Sequence, residues 1–110
     1  MDPIKTWYAE DRGKRAVEAL KKRGFTAFYV ENQDQAKEMT LKEIPPGAVV
    51  AVGGSGTIRG LKIIEDLRAR GHKVLDHWEV PYSRVEESFQ IRRAQQTSDV
   101  FLTSSNAITL

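Results

Sequence analysis

The stretch AVVAVGGSGTIRG, residues 48–60, decides the fold class of this chain. Its first five residues are apolar without alternation, which is typical of a strand buried on both faces. Three glycines then fall within residues 53–57, and a helical pattern begins directly afterwards. A buried strand that turns through glycines into a helix is the repeating unit of parallel α/β sheets.

Helical and strand-like segments alternate on both sides of this stretch. Strands are predicted at residues 25–30, 48–52, 72–77 and from 100 onward. Helices are predicted from about residue 4 to 23, over 33–42 behind an Asn32 cap, over 58–67 as one apolar stripe, and from a Ser83–Glu86 capping box. We therefore expect one α/β domain over residues 1–110, with a mostly parallel sheet of about four strands, helices on both faces, and one edge open or incomplete.

The bulk composition excludes several function classes. The chain has 110 residues and a net charge of +2, too balanced for a nucleic-acid-binding protein. It has no cysteine, so it cannot itself ligate an iron–sulfur cluster or use a catalytic thiol. No segment has the features of a signal peptide or a membrane span, and no pattern requires a cofactor or a metal. A cytoplasmic location without membrane association is the expectation.

The glycine loop has two interpretations. In the first, it binds an anionic small molecule: backbone N–H groups of Gly53, Gly54 and Gly56 approach the ligand, Ser55 and Thr57 add hydroxyl donors, and Arg59 adds charge. In the second, it is a tight turn that needs positive φ, with Ser55 or Thr57 merely capping the next helix.

The end of the last strand carries a second small, polar segment, TSSN at residues 103–106. Ligands of open α/β sheets bind beyond the carboxyl ends of the strands. We therefore expect Thr103, Ser104, Ser105 and Asn106 to line the same crevice as the glycine loop, with Asn106 orienting polar groups of the ligand.

Two further alternatives involve the end of the 72–77 strand. Gly54, Gly56 and Asp76 partly match a dinucleotide fingerprint, although Gly60 comes one residue too late for it. Asp76 or His77 could instead act as the base of a sugar-phosphate isomerase-like enzyme, although a lone histidine at a strand end is more often structural. No serine has a histidine and an acid at a spacing that favours hydrolase chemistry.

Two stretches carry a family resemblance. GAVVAVGGSGTI (47–58) and RRAQQTSDVFLTSSNAIT (92–109) resemble the lactate-utilisation (LUD) domain family. The resemblance implies a Rossmann-like three-layer α/β/α domain of the ribose-phosphate isomerase, glucosamine-phosphate deaminase and CoA-transferase superfamily. It also implies a role in lactate or organic-acid utilisation beside partner proteins that carry iron–sulfur clusters. In the wider superfamily, the counterpart of residues 53–57 holds phosphate or another anionic group.

The chain also departs from the family. Gly56 stands where a larger residue is frequent, and Arg59 near a position where an acidic residue is common. Family domains continue past Leu110 through an Asp-Gly turn and a Gly-Asn-Arg segment, so the resemblance implies a C-terminally truncated domain. We therefore expect an accessory or ligand-binding subunit rather than a stand-alone enzyme, and a homo-oligomer that pairs through its open sheet edge. The alternative is a structural or assembly subunit whose loop is empty.

Overall fold

Five α-helices, one 3₁₀ turn and three strands make up residues 2–105, the part of the chain that the computed structural model describes. The helices are α1 (Pro3–Lys22), α2 (Gln33–Glu43), α3 (Gly56–Gly60), α4 (Ile63–Ala69) and α5 (Val85–Gln95). The strands are β1 (Val50–Val52), β2 (Val74–Asp76) and β3 (Val100–Leu102), and the 3₁₀ turn His77–Glu79 follows β2. Residues 2–36 with Ser105 form one compact unit, and residues 37–104 form another.

The second unit contains a parallel sheet of three strands in the order β2-β1-β3. Val52 lies opposite Asp76 in β2 and Leu102 in β3, so all three strands end at the same edge. The predicted parallel α/β fold is confirmed, with three strands rather than four.

The fourth predicted strand, residues 25–30, is wrong, because this segment pairs with no other strand. Its composition favours a strand, but β-propensity reflects packing against neighbouring strands, and these residues belong to the first unit. Two of its side chains are mainly exposed, Phe25 at 61% and Phe28 at 54%. Tyr29 instead lies directly against Gly13 of α1.

Helices cover both faces of the sheet, as a three-layer arrangement requires. Val50 and Val52 point to one face, where they join Ile63 and Leu67 of α4 in a core of nine buried residues. These four side chains are fully buried. Alternation along the strand sends Ala51 to the other face, together with its register partner Leu75, which lines one cavity with Ile91 and Ala94 of α5. Buried on both sides, β1 has the environment that its unbroken apolar sequence predicts.

The helix predicted over residues 58–67 is two helices. Lys62 adopts a left-handed backbone conformation, φ 57°, between α3 and α4. This break turns Ile63 into the core beside Ile64, although one continuous helix would rotate Ile63 away from the stripe containing Ile58. The left-handed conformation costs Lys62, a non-glycine residue, about 1–2 kcal/mol. The same break buries Ile63 in the core.

The two predicted helix caps have different outcomes. At α2, the Asn32 side chain accepts from Gln35 N, so the predicted cap is confirmed. The Gln35 side chain in turn accepts from the backbone N–H of Glu31. At α5, the Ser83 box is wrong: the helix begins at Val85 with no side-chain cap. Ser83 instead lies in a turn that a hydrogen bond from Arg84 N to Pro81 O closes.

Candidate functional site

The loop between β1 and α3 is held by hydrogen bonds within the loop and to the end of β3. Gly53 N donates to Leu102 O at 2.8 Å, which continues the β1–β3 pairing by one residue. Ser55 N donates to Gly53 O at 2.8 Å and closes the turn. Ser55 Oγ then accepts from Ile58 N at 3.1 Å, so the predicted cap of the following helix is confirmed at Ser55.

The loop glycines do not have the conformation that the turn interpretation requires. Gly24, Gly47 and Gly71 have positive φ, whereas Gly53, Gly54 and Gly56 do not. A Cβ on Gly53 would lie 3.3 Å from both Phe101 Cε1 and Thr103 Oγ1, so close packing against β3 accounts for that glycine. A Cβ on Gly54 would make only ordinary contacts with Trp78, and one on Gly56 would meet nothing within 4 Å.

The end of β3 lies beside this loop, as we expect from the parallel sheet. Ser55 Oγ and Ser104 Oγ are hydrogen-bonded at 2.8 Å, and Thr103 faces Gly53. The structure therefore brings Thr103 and Ser104 together with residues 53–55. Ser105 belongs to the other unit and Asn106 lies outside the described residues, so their part in the site stays a prediction.

Arg59 turns back onto the loop that precedes it. Its Nη1 donates to Gly53 O and to Ser55 O, each at 2.9 Å, and its Nη2 forms an ion pair with Asp76. The guanidinium also stacks 3.4 Å above the centre of the Trp78 ring. These contacts make Arg59 a clamp on the loop, and its predicted interaction with a ligand stays a prediction.

Asp76 and His77 are also engaged by protein groups. The Asp76 side chain is 7% exposed, and its Oδ1 accepts both from Arg59 and from Trp78 N at 3.0 Å. His77 Nδ1 lies 3.2 Å from Gln95 Nε2. The contacts of Asp76 therefore do not favour the ribose-binding role of the dinucleotide alternative, and a catalytic role for either residue stays a prediction.

Two residues of this edge were not predicted from the sequence. Gln95, buried at the end of α5, donates from Nε2 to Leu75 O at 2.9 Å and to Val52 O at 3.1 Å, and so bridges β1 and β2. Trp78 covers Arg59 beside Gly54. No local signal marks Gln95, because its partners lie 20 and 43 residues away along the chain.

Comparison with known proteins assigns the family. A search of curated protein sequences and of solved structures gave no match. Among the helices of residues 2–105, none combines the length and the apolar character needed to cross a bilayer. The sequence model named "LUD domain" matches residues 13–110, which is most of the chain and includes the whole of the site described above. This chain therefore belongs to the LUD domain family.

Proposed function

We propose that this chain is a ligand-binding subunit that takes part in lactate or related organic-acid utilisation. Its loop Gly53–Thr57 holds an anionic small molecule that bears a phosphate or a carboxylate. The observation that carries the proposal is Gly56. Neither positive φ nor packing against the described residues requires a glycine there. A glycine also allows a ligand to approach the backbone closely, and Gly56, unlike Gly60, lies in the loop at the end of β1.

Free backbone donors support an anion at this loop. Within residues 2–105, no acceptor is hydrogen-bonded to the N–H groups of Gly54, Gly56 and Thr57. The hydroxyls of Ser55 and Ser104 lie beside these donors. Because α3 has only five residues, its dipole adds little, and individual N–H and hydroxyl groups would provide the binding energy.

The position of the loop in the sheet supports the same proposal. The chain leaves β1 towards α3 and α4 on one face, and it leaves β2 towards α5 on the other. Open α/β sheets bind their ligands at the carboxyl edge where such connections diverge.

An accessory role suits the contacts of the two candidate acid–base groups. Asp76 is paired with Arg59 and His77 is held by Gln95, so both side chains serve the architecture of the edge. In this proposal, partner proteins carry the redox chemistry in the cytoplasm, and this chain supplies a ligand site.

The test is an amide-resolved NMR titration of the whole chain with inorganic phosphate, lactate, ribose 5-phosphate, CoA and NAD in turn. We expect at least one anion to shift the amide signals of residues 53–57 saturably, together with those of Thr103 and Ser104. Sodium chloride at matched ionic strength is the control for non-specific screening. If no compound moves these signals beyond that control, the proposal is wrong and the empty-loop alternative takes its place.

A further inference from the structure

A cavity lies beyond the end of β2, apart from the Gly53–Thr57 loop. It is open to solvent and has a volume of about 330 Å³. Small-molecule sites typically have volumes of about 300–1,000 Å³, so this cavity suits a ligand with a single ring. Its lining is mainly aromatic and apolar, with one cation: His77, Trp78, Val80, Pro81, Tyr82 and Arg92.

Arg92 brings an uncompensated positive charge to this cavity. The half-buried residue donates from Nε to Ser88 Oγ at 3.4 Å and from Nη2 to Tyr82 Oη at 2.8 Å. Among residues 2–105, no aspartate or glutamate lies within 4.0 Å of its guanidinium. A guanidinium has five N–H donors in a planar fork that matches a carboxylate, so Nη1 is left to bind one.

His77 lines the cavity beside Gln95. The two N–H groups of the Gln95 amide donate to backbone carbonyls, Leu75 O and Val52 O. His77 Nδ1 lies 3.2 Å from that amide nitrogen, and the imidazole ring forms part of the wall of the cavity.

Two aromatic side chains supply ring surface. Trp78 is 56% and Tyr82 78% exposed, although both line the cavity. Arg59 stacks on Trp78 without lining the cavity, and Arg92 lies 4.9 Å from the centre of the Tyr82 ring. Exposed aromatic surface next to an unpaired cation favours a ligand that is both planar and anionic.

We propose that this cavity binds a small aromatic or heteroaromatic carboxylate. The carboxylate pairs with Arg92, while the ring packs against Trp78 and Tyr82. The proposal uses no residue of the Gly53–Thr57 loop and stands independently of the function proposed for it.

The experiment titrates benzoate into the ¹⁵N-labelled whole chain, with benzamide as the neutral ligand of the same shape. Benzoate is expected to shift the Trp78 indole N–H signal saturably and to bind at least about tenfold more tightly than benzamide, the advantage of a charge-assisted bond. The Trp7 indole serves as the internal control for non-specific stacking.

Arg92→Gln is compared with Arg93→Gln, which removes the same charge from the next, exposed position of α5. Arg92→Gln is expected to weaken benzoate about tenfold and to leave benzamide unchanged, whereas Arg93→Gln changes benzoate less than about twofold. Equal affinity for benzoate and benzamide, or equal losses in the two variants, overturns the proposal.

A direct contact measurement on the unaltered chain covers the case in which Arg92→Gln fails to fold. Intermolecular nuclear Overhauser effects are expected between the benzoate ring protons and the rings of Trp78 and Tyr82. If saturating benzoate gives no such effects, or if only residues 53–57 respond, the cavity is not the site.

Discussion

Replacing Gly56 by alanine separates the two reasons for which a glycine can stand at the start of α3. The added Cβ meets no heavy atom within 4 Å, and the backbone there does not have positive φ. The substitution therefore introduces no strain, and it restricts the unfolded chain. We expect the free energy of unfolding to rise by about 0.4–1 kcal/mol. For a domain of this size, that corresponds to an increase of about 2–8 °C in Tm.

Binding is expected to change in the opposite direction. If an anion rests against the backbone at Gly56, the new methyl group displaces it from the N–H donors. Loss of one good charge-assisted hydrogen bond would weaken phosphate roughly tenfold, or about 1.4 kcal/mol. Thermal unfolding followed by circular dichroism measures the first effect, and the phosphate titration measures the second.

Gly60 provides the matched control. It lies in the same helix, without positive φ, and a Cβ there would also meet nothing within 4 Å. Gly60→Ala is expected to stabilise the chain similarly and to leave phosphate affinity unchanged. The reasoning is refuted if Gly56→Ala binds phosphate as the unaltered chain does, or if both variants weaken it equally. A lower Tm for Gly56→Ala would refute the structural half of the argument.

Three further predictions concern other parts of the chain. Lys62→Gly relieves the left-handed backbone and should stabilise the chain by about 0.5–1 kcal/mol in urea unfolding, whereas Lys62→Ala, which keeps the Cβ, should be close to neutral. Asp76→Ala leaves the mainly buried Arg59 unpaired and should lower the free energy of unfolding by about 3 kcal/mol. Glu79→Ala, the control, breaks an exposed ion pair and should lower it by about 0–1 kcal/mol. A smaller loss for Asp76→Ala than for the control would contradict the assigned role. Because β2 and β3 are outer strands, we expect the average mass in light scattering to rise with protein concentration, and a constant monomer mass would remove the predicted edge pairing.

Asp76 illustrates how a correct local prediction can miss the role of a side chain. Its place at the end of a strand follows from the sequence, and β2 ends there. Its partner Arg59 lies 17 residues earlier, across α4, and only the β1–β2 pairing brings the two together. Sequence reasoning therefore assigned both residues to ligand or base chemistry, because it had no means of finding their contact.

The order of buried strand, glycine loop and helix was determined by the sequence alone, because apolar runs and helix caps act through neighbouring residues. Tertiary structure decided the rest. Residues 25–30 have the composition of a strand without a strand to pair with, and Lys62 takes a left-handed conformation as Ile63 enters the core. The Gln95 bridge and the cavity of Arg92 likewise depend on contacts across the fold, whose free energy comes from burial and charge pairing that no local pattern records.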